Sequence, residues 1–184
     1  MFKERTVLLI KPDGLRRGLV GEIISRFEKR GLKLVALKMV RPTLEHIDEH
    51  YPRDESWITR LGEKSLKTYR EHNLNVKELL GFDGPSQIGQ EVRKWLIEFM
   101  ISAPIAAMVW EGPHAVSQVR KIVGPTIPSF AEVGTIRGDF SIDAPTAANL
   151  EKRPVHNLVH ASETKEEAQK EIEHWFAPEE ILEW

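Results

Sequence analysis

TVLLIKPDGLRRGLVGEIISRFEKRGLKLVALKMV, residues 6–40, decides the fold because it contains one complete strand–helix–strand unit. Residues 6–10 are all β-branched or aliphatic, and residues 12–14 read Pro-Asp-Gly, which predicts a strand buried on both faces and ended by a turn. Apolar residues recur at helical spacing over residues 20–27 and are followed by a glycine that ends the helix. Residues 34–40 form a second predicted strand.

The remaining chain continues this alternation of helices and strands. Helical spacing predicts helices over residues 43–51, 57–69, 88–99, 115–123 and 164–176, and short aliphatic runs predict strands over residues 105–110 and 155–159. The stretch 124–153 is rich in Gly, Pro, Thr and Ser, which indicates long loops. The order β-α-β, helices, β-α-β and a last helix predicts a ferredoxin-like α/β (α+β) sandwich, with a four-stranded antiparallel sheet covered by helices.

The composition limits the functions that the chain can have. Its 184 residues fit a single domain and contain no cysteine, which excludes disulfides, zinc–thiolate sites and cysteine nucleophiles. The N-terminal apolar run, residues 7–10, is too short for a signal peptide and no segment could span a bilayer, so we expect a cytoplasmic protein. The net charge of −2 gives no global field for nucleic acid, so a polyanionic substrate would need a local cluster of Lys and Arg.

His160 stands at the end of a predicted strand in the motif Asn-Leu-Val-His-Ala-Ser, residues 157–162. Thr164 and Glu167 form a predicted capping box for the last helix, whose N-terminus favours a nearby phosphate. On that helix Glu171 lies at the flank of the apolar stripe, from where a carboxylate could hold one imidazole nitrogen and leave the other nucleophilic. From spacing alone, a solvated position at the helix edge is the more common outcome for such a glutamate.

Several blocks of sequence occur together in one order: residues 5–14, 17–24, 50–51, 108–112, 134–140 and 157–162. With these blocks in this order and the histidine motif last, the chain resembles the nucleoside diphosphate kinase family over nearly its whole length. The resemblance implies a single domain over residues 1–184 that transfers a γ-phosphoryl group from a nucleoside triphosphate to a nucleoside diphosphate. It implies a ping-pong reaction in which His160 carries the phosphoryl group between the two nucleotides.

The resemblance also implies roles for individual residues. The phosphates would be surrounded by Lys11, Arg120, Thr126 and Arg137, with Tyr51 near the transferred group, while Lys11 and Asn157 would contact the ribose, and Glu171 and Ser162 would hold His160. Mg²⁺ would be bound mainly through the nucleotide phosphates, with no metal site made by the protein. The partners implied are nucleoside tri- and diphosphates and further copies of the chain in a tetramer or hexamer, whereas a membrane and nucleic acid have little support.

The chain departs from the family pattern at identifiable places. Glu163 follows Ser162 where the family usually has aspartate, and its extra methylene keeps the charge but could move it. Residues 52–94 are longer than in compact members, which predicts a helical insertion, and residues 141–153 indicate a lengthened loop. The aromatic residue that stacks on the base is left open between Trp57 and Phe82.

Two other functions are compatible with the same fold. One is a catalytically weakened relative that binds nucleotides, and the other is a histidine phosphocarrier that donates to proteins. A phosphocarrier would need His160 but not the phosphate-binding and ribose-binding residues, and an inactive relative would normally have lost some of them. The retained set Lys11, Arg120, Arg137 and Asn157 therefore favours the kinase.

Overall fold

A computed structural model describes residues 3–184. Its elements in chain order are β1 (Glu4–Ile10), α1 (Pro12–Arg16), α2 (Val20–Lys29), β2 (Lys33–Val40), α3 (Leu44–His50), α4 (Glu55–Glu71), α5 (Val76–Leu80), α6 (Pro85–Ile101), β3 (Ile105–Gly112), α7 (Ala115–Val123), α8 (Ile136–Phe140), α9 (Pro145–Leu150), β4 (Val159–Ala161) and α10 (Lys165–Trp175), with single 3-10 turns at Pro128–Phe130 and Pro178–Glu180. No helix in the described part of the chain has the length and apolar character needed to cross a membrane.

The described residues form two compact units. The first contains the residues up to Arg41 together with Ala103–Ile142 and Asn157–Trp184, and the second contains Pro42–Ser102 and Asp143–His156. All four strands belong to the first unit, whereas the second unit is helical.

The sheet of the first unit has the strand order β2-β3-β1-β4, and every neighbouring pair is antiparallel. β1 lies inside the sheet, with Leu8 opposite Met108 of β3 and Leu9 opposite His160 of β4. Residues 7–10 have no exposed surface, as expected for a strand covered on both faces. The predicted ferredoxin-like sandwich with a four-stranded antiparallel sheet is therefore confirmed.

The core of the first unit forms between the sheet and the helices that contact it. Leu8 and Ile10 pack with Phe27 of α2, Trp110 of β3 and Val119 of α7 in one buried cluster. The rings of Phe27 and Trp110 lie 5.1 Å apart between centroids. Full burial of such a side chain contributes about 1.5–3 kcal/mol, so this cluster is the main support for the sheet. The last helix, α10, also packs against β1.

The second unit is organised by the close crossing of α4 and α6. A Cβ atom on Gly62 would lie 1.8 Å from the Pro85 carbonyl oxygen, and one on Gly89 would lie 1.9 Å from the Ile58 carbonyl oxygen. Only glycine fits at such a contact between two backbones. A small apolar cluster, which includes Leu66, Tyr69, Val76 and Ile88, forms beside the crossing. These helices cover most of residues 52–94, whose interpretation as an insertion stays a prediction.

The fourth strand begins at Val159, so the predicted strand at 155–159 is wrong by several residues. Leu158 has a φ of 69°, and the Val159 N–H donates to the Asn157 carbonyl at 2.8 Å, which defines a γ-turn. This turn interrupts the extended chain just before β4. His160 consequently lies in the middle of this short strand, whereas the sequence predicts it at the C-terminal end of a strand.

Two further local predictions are wrong. Residues 12–14 begin the short helix α1 and do not form a simple turn, because Pro12 suits the first helical position. The stretch 124–153 is not only loop, since it contains α8 and α9. Thr135 caps α8 by accepting the Gly138 N–H at 3.0 Å, and Pro145 begins α9. Helices this short give too few turns to produce a readable apolar period.

Candidate active site

His160, Glu171 and Ser162 form a hydrogen-bonded chain. His160 Nε2 lies 2.6 Å from Glu171 Oε1, and Ser162 Oγ donates to Glu171 Oε2 at 2.6 Å. Ser162 has no exposed surface, Glu171 is 7% exposed, and the Val7 N–H of β1 donates to Ser162 Oγ at 3.4 Å. The carboxylate therefore holds both the imidazole and the hydroxyl, and its inward position agrees with the helical phase predicted for Glu171.

The start of α10 fixes the carboxylate in place. Thr164 Oγ1 accepts the Glu167 N–H at 3.1 Å, which confirms the predicted N-cap. The reciprocal bond differs from the predicted capping box, because the Glu167 carboxylate accepts the N–H of Glu163 and not that of Thr164. The helix is nonetheless capped on both sides of its first turn, so Glu171 is presented from a well-defined helix.

Lys11, Asn157 and Thr126 are joined through the Asn157 side chain. Lys11 Nζ donates to Asn157 Oδ1 at 2.9 Å, and Asn157 Nδ2 donates to the Thr126 carbonyl at 2.9 Å. Lys11 is 6% exposed and Asn157 is 5% exposed, whereas Thr126 is exposed. The end of β1 and the turn before β4 thus bring together residues that are far apart in sequence.

Arg137 of α8 is buried beside the same turn. Its Nε, Nη1 and Nη2 atoms donate to the carbonyls of Asn157 at 3.1 Å, Gly124 at 2.9 Å and Val159 at 2.7 Å. A guanidinium has five N–H donors, so these bonds use three of them. Arg137 therefore ties α8 to both ends of the γ-turn at Leu158.

The electrostatics of this cluster are dominated by two buried cations. Burial and then the Arg137 charge lower the pKa of Lys11, Asp13 opposes the shift, and the resulting pKa is about 8. Burial and then the Arg120 charge lower the pKa of Arg137 to about 10, and Asp13 again opposes the shift. Because like charges are held close together in a desolvated place, the cluster favours an anionic ligand.

Arg120 of α7 lies at the edge of this group. Its side chain is 43% exposed, and its Nη2 atom is 3.7 Å from Glu163 Oε1, which is itself 74% exposed. A pair this exposed contributes little to stability. Glu163, where the chain departs from the family pattern, therefore places its charge near a cation predicted to bind phosphate.

Tyr51, predicted to lie near the transferred group, belongs to the second unit. It ends α3 and is buried, and its ring lies 5.1 Å from that of His50 and 6.4 Å from that of Trp57. Arg93 of α6 holds this end of the helix by donating to the Tyr51 carbonyl at 3.1 Å and to Asp48 Oδ1 at 2.6 Å. The other predicted site residues all belong to the first unit.

Asp13 is part of the site's support, although the sequence indicated only a turn residue. Its Oδ2 atom accepts the Leu158 N–H at 2.9 Å, and the side chain is 8% exposed. A lone aspartate after a strand gives no periodic signal, so its partner 145 positions away could not be read from the sequence.

Comparisons with known proteins agree with this geometry. The family model described as nucleoside diphosphate kinase matches residues 4–61 and 62–181. The chain is 52% identical over 180 residues to the nucleoside diphosphate kinase of Pyrobaculum aerophilum, covering 98% of each chain. The chain belongs to the nucleoside diphosphate kinase family. It is accordingly an enzyme of nucleotide phosphate transfer, a phosphotransferase.

Solved structures support membership of the nucleoside diphosphate kinase family. The crystal structure of an NDP kinase from Pyrobaculum aerophilum superposes with a TM-score of 0.96 at 49% identity, covering 99% of this chain and 100% of that one. A transition-state mimic of the Borrelia burgdorferi nucleoside-diphosphate kinase, with bound vanadate and ADP, has a TM-score of 0.79 at 34% identity, covering 99% and 92%.

Proposed function

We propose that the chain transfers the γ-phosphoryl group of a nucleoside triphosphate to a nucleoside diphosphate through phosphorylated His160. The observation that carries this proposal is the 2.6 Å contact between His160 Nε2 and the buried Glu171 carboxylate. Because Nε2 is held by the acid, Nδ1 is the atom that attacks the γ-phosphorus. The Nδ1–P bond forms while the bond from the γ-phosphorus to the bridging oxygen breaks, and its electron pair leaves with the diphosphate. The acceptor diphosphate then reverses these steps.

The chain around Glu171 supports the developing charge during transfer. An imidazole that bonds to phosphorus through Nδ1 becomes more positive, and the carboxylate at Nε2 stabilises that charge. Ser162 donates to the second oxygen of Glu171 at 2.6 Å and fixes the carboxylate in one orientation. Ser162 is therefore proposed as a positioning residue, and Glu171 as the acid that keeps His160 in the reactive tautomer.

The cations of the first unit are proposed to bind the phosphates. Phosphoryl transfer depends mainly on positioning and on neutralising charge spread over the equatorial oxygens. Lys11 offers a point charge, and Arg120 and Arg137 offer planar forks suited to phosphate oxygens. Thr126, whose carbonyl accepts the Asn157 Nδ2 hydrogen bond, is proposed as a further phosphate contact. We assign the ribose hydroxyls to Asn157 and Lys11, and a contact near the transferred group to Tyr51.

Mg²⁺ is proposed to arrive as part of the magnesium nucleotide. Mg²⁺ prefers oxygen ligands, whereas the ammonium of Lys11 and the guanidinium groups of Arg120 and Arg137 only donate hydrogen bonds. When bound, the ion would neutralise charge on the phosphates, and the protein residues would hold the nucleotide around it.

A homo-oligomer, tetrameric or hexameric, and a cytoplasmic location remain predictions. The C-terminal segment lies along β2, with the Leu182 N–H donating to the Val35 carbonyl at 2.9 Å. Leu182 is 62% exposed and Trp184 is 75% exposed, so this segment presents apolar surface that another copy could cover. Light scattering coupled to size-exclusion chromatography would measure the assembly directly.

The test of the proposed function is a phosphoenzyme assay. Protein mixed with γ-labelled ATP and Mg²⁺ should acquire acid-labile, alkali-stable label that moves to GTP when GDP is added. His160→Ala should acquire none, and His72→Ala, a substitution of an exposed histidine at the end of α4, should label normally. Label that stays on the protein would indicate a phosphocarrier, and no label with nucleotide still bound would indicate a binding module.

A further inference from the structure

The turn before β4 contains a backbone conformation that needs support. Leu158 has a φ of 69°, a value that residues other than glycine rarely adopt. Leu158 lies between Asn157, the proposed ribose ligand, and the strand that carries His160. A change of this backbone would therefore move both residues together. Positions of this kind persist only where the surroundings determine them.

Both backbone groups of Leu158 bind the segment that follows β1. Its N–H donates to Asp13 Oδ2 at 2.9 Å, and its carbonyl accepts the Lys11 N–H at 2.8 Å. The close approach depends on Gly14, because a Cβ atom there would lie 3.0 Å from the Leu158 carbonyl oxygen. The Asp13 bond is made by a side chain, so a substitution removes it directly, whereas the Lys11 bond joins two backbone groups.

Asp13 also supplies the negative charge for the buried cations. Its second oxygen, Oδ1, is buried without a hydrogen-bond partner among residues 3–184. Asp13 raises the pKa of both Lys11 and Arg137 against the effect of burial. An amide at this position could still accept the Leu158 N–H, but it would carry no charge.

We propose that Asp13 is a positioning residue for phosphoryl transfer, which holds the Leu158 turn through one oxygen and supplies a negative charge to the cluster of buried cations that this turn joins. This inference rests on the proposed function, because Lys11 and Asn157 act on the nucleotide only in that reaction. The two contributions separate experimentally. Asp13→Asn keeps an acceptor and removes the charge, and Asp13→Ala removes both.

The expected size of the charge effect follows from the pKa of Lys11. The charged groups that act on Lys11 are Arg137 of α8 and Asp13, and the pKa is about 8 with both present. Removing the Asp13 charge lowers the pKa of Lys11 further, because that charge opposes the lowering. We take about a tenfold change in the protonation equilibrium of Lys11, the lower end of what one nearby opposite charge produces. At pH 7.5 the protonated fraction then falls roughly threefold, and at pH 6 it hardly changes.

The test compares single-turnover formation of the phosphoenzyme from ATP between pH 6 and 9. Relative to the unsubstituted protein, Asp13→Asn should be within about twofold at pH 6, roughly threefold slower at pH 7.5 and about tenfold slower at pH 9. Asp13→Ala should be slower at every pH. NMR titration of the Lys11 ammonium in lysine-labelled protein should show the lowered pKa in Asp13→Asn without any dependence on turnover.

Glu4→Gln is the matched control. Glu4 is also 8% exposed in the first unit and also accepts a backbone N–H, that of Val116, at 3.0 Å. If losing a buried carboxylate slows the reaction only through a general loss of stability, the rate of Glu4→Gln relative to the unsubstituted protein should not change with pH. A pH-independent ratio for Asp13→Asn, or an unchanged titration of Lys11, would overturn the inference. If the unsubstituted protein forms no phosphohistidine, the proposed function itself fails and the Lys11 titration still tests the charge.

Discussion

Glu171→Gln is the substitution that tests the catalytic chain most directly. It removes the negative charge that faces His160 and leaves the volume of the side chain almost unchanged. A glutamine carbonyl can accept only one of the two bonds that the carboxylate accepts, from His160 Nε2 and Ser162 Oγ, each at 2.6 Å. If its amide group faces Nε2, it favours the tautomer with a proton on Nδ1, which cannot attack phosphorus.

The magnitude follows from the burial and geometry of this carboxylate. Glu171 is 7% exposed, so little water can replace the lost bond. A hydrogen bond to a charged group contributes about 1.5–3 kcal/mol. Since each 1.36 kcal/mol in the barrier is tenfold in rate, we expect phosphorylation of His160 to slow roughly ten- to a hundredfold.

The assay is rapid-quench labelling from γ-labelled ATP, with thermal unfolding measured on the same samples. Glu173→Gln is the control, because Glu173 is exposed on the same helix and accepts a hydrogen bond from the Gln169 side chain at 2.6 Å. This control should label at the normal rate. A folded Glu171→Gln protein that labels within twofold of the unsubstituted one would refute the role given to the carboxylate.

Three other expectations concern packing, the arginine fork and protonation. Gly89→Ala would put a carbon 1.9 Å from the Ile58 carbonyl oxygen, so it should destabilise the second unit by more than about 3 kcal/mol in urea unfolding. Gly21→Ala, which has open space around it, should be neutral or stabilise the protein by about 0.5 kcal/mol. Equal urea midpoints for the two variants would contradict the close crossing of α4 and α6. In Arg137→Lys, the single side-chain nitrogen cannot donate to the three carbonyls that the guanidinium contacts, so the ATP concentration for half-maximal labelling should rise about tenfold. An unchanged concentration would count against the role given to the Arg137 guanidinium. Lys11 has a pKa of about 8, and the charge of a bound phosphate raises that pKa, so Lys11 should take up a proton when ATP binds near pH 8.5 and none near pH 6. Calorimetry in buffers of different ionisation enthalpy measures the proton uptake. Equal uptake at both pH values would refute this expectation.

Patterns between neighbouring residues predicted much of this protein. The apolar run at residues 7–10 predicted a strand buried on both faces, and its four residues have no exposed surface. The sequence predicts Thr164 as the N-cap of α10, which the structure confirms. The period of α10 puts Glu171 at the flank of the apolar stripe, where spacing alone favours a solvated position, and only the family resemblance predicts the inward position that the structure shows. The motif order ending at His160 indicated the family, which the comparisons confirm.

Only the tertiary structure decided what supports the site. Lys11 and Asn157 are 146 positions apart, Asp13 and Leu158 are 145 apart, and neither pair leaves a trace in local periodicity. Sequence pattern alone puts the fourth strand too early, because the turn at Leu158 depends on partners supplied by the end of β1 and by α8. Local sequence determines which residues can form a strand or a helix, since that choice rests on neighbours along the chain. The pairing of β1 with β4 decides which distant residues meet at the site, because only folding brings their donors and acceptors within hydrogen-bond distance.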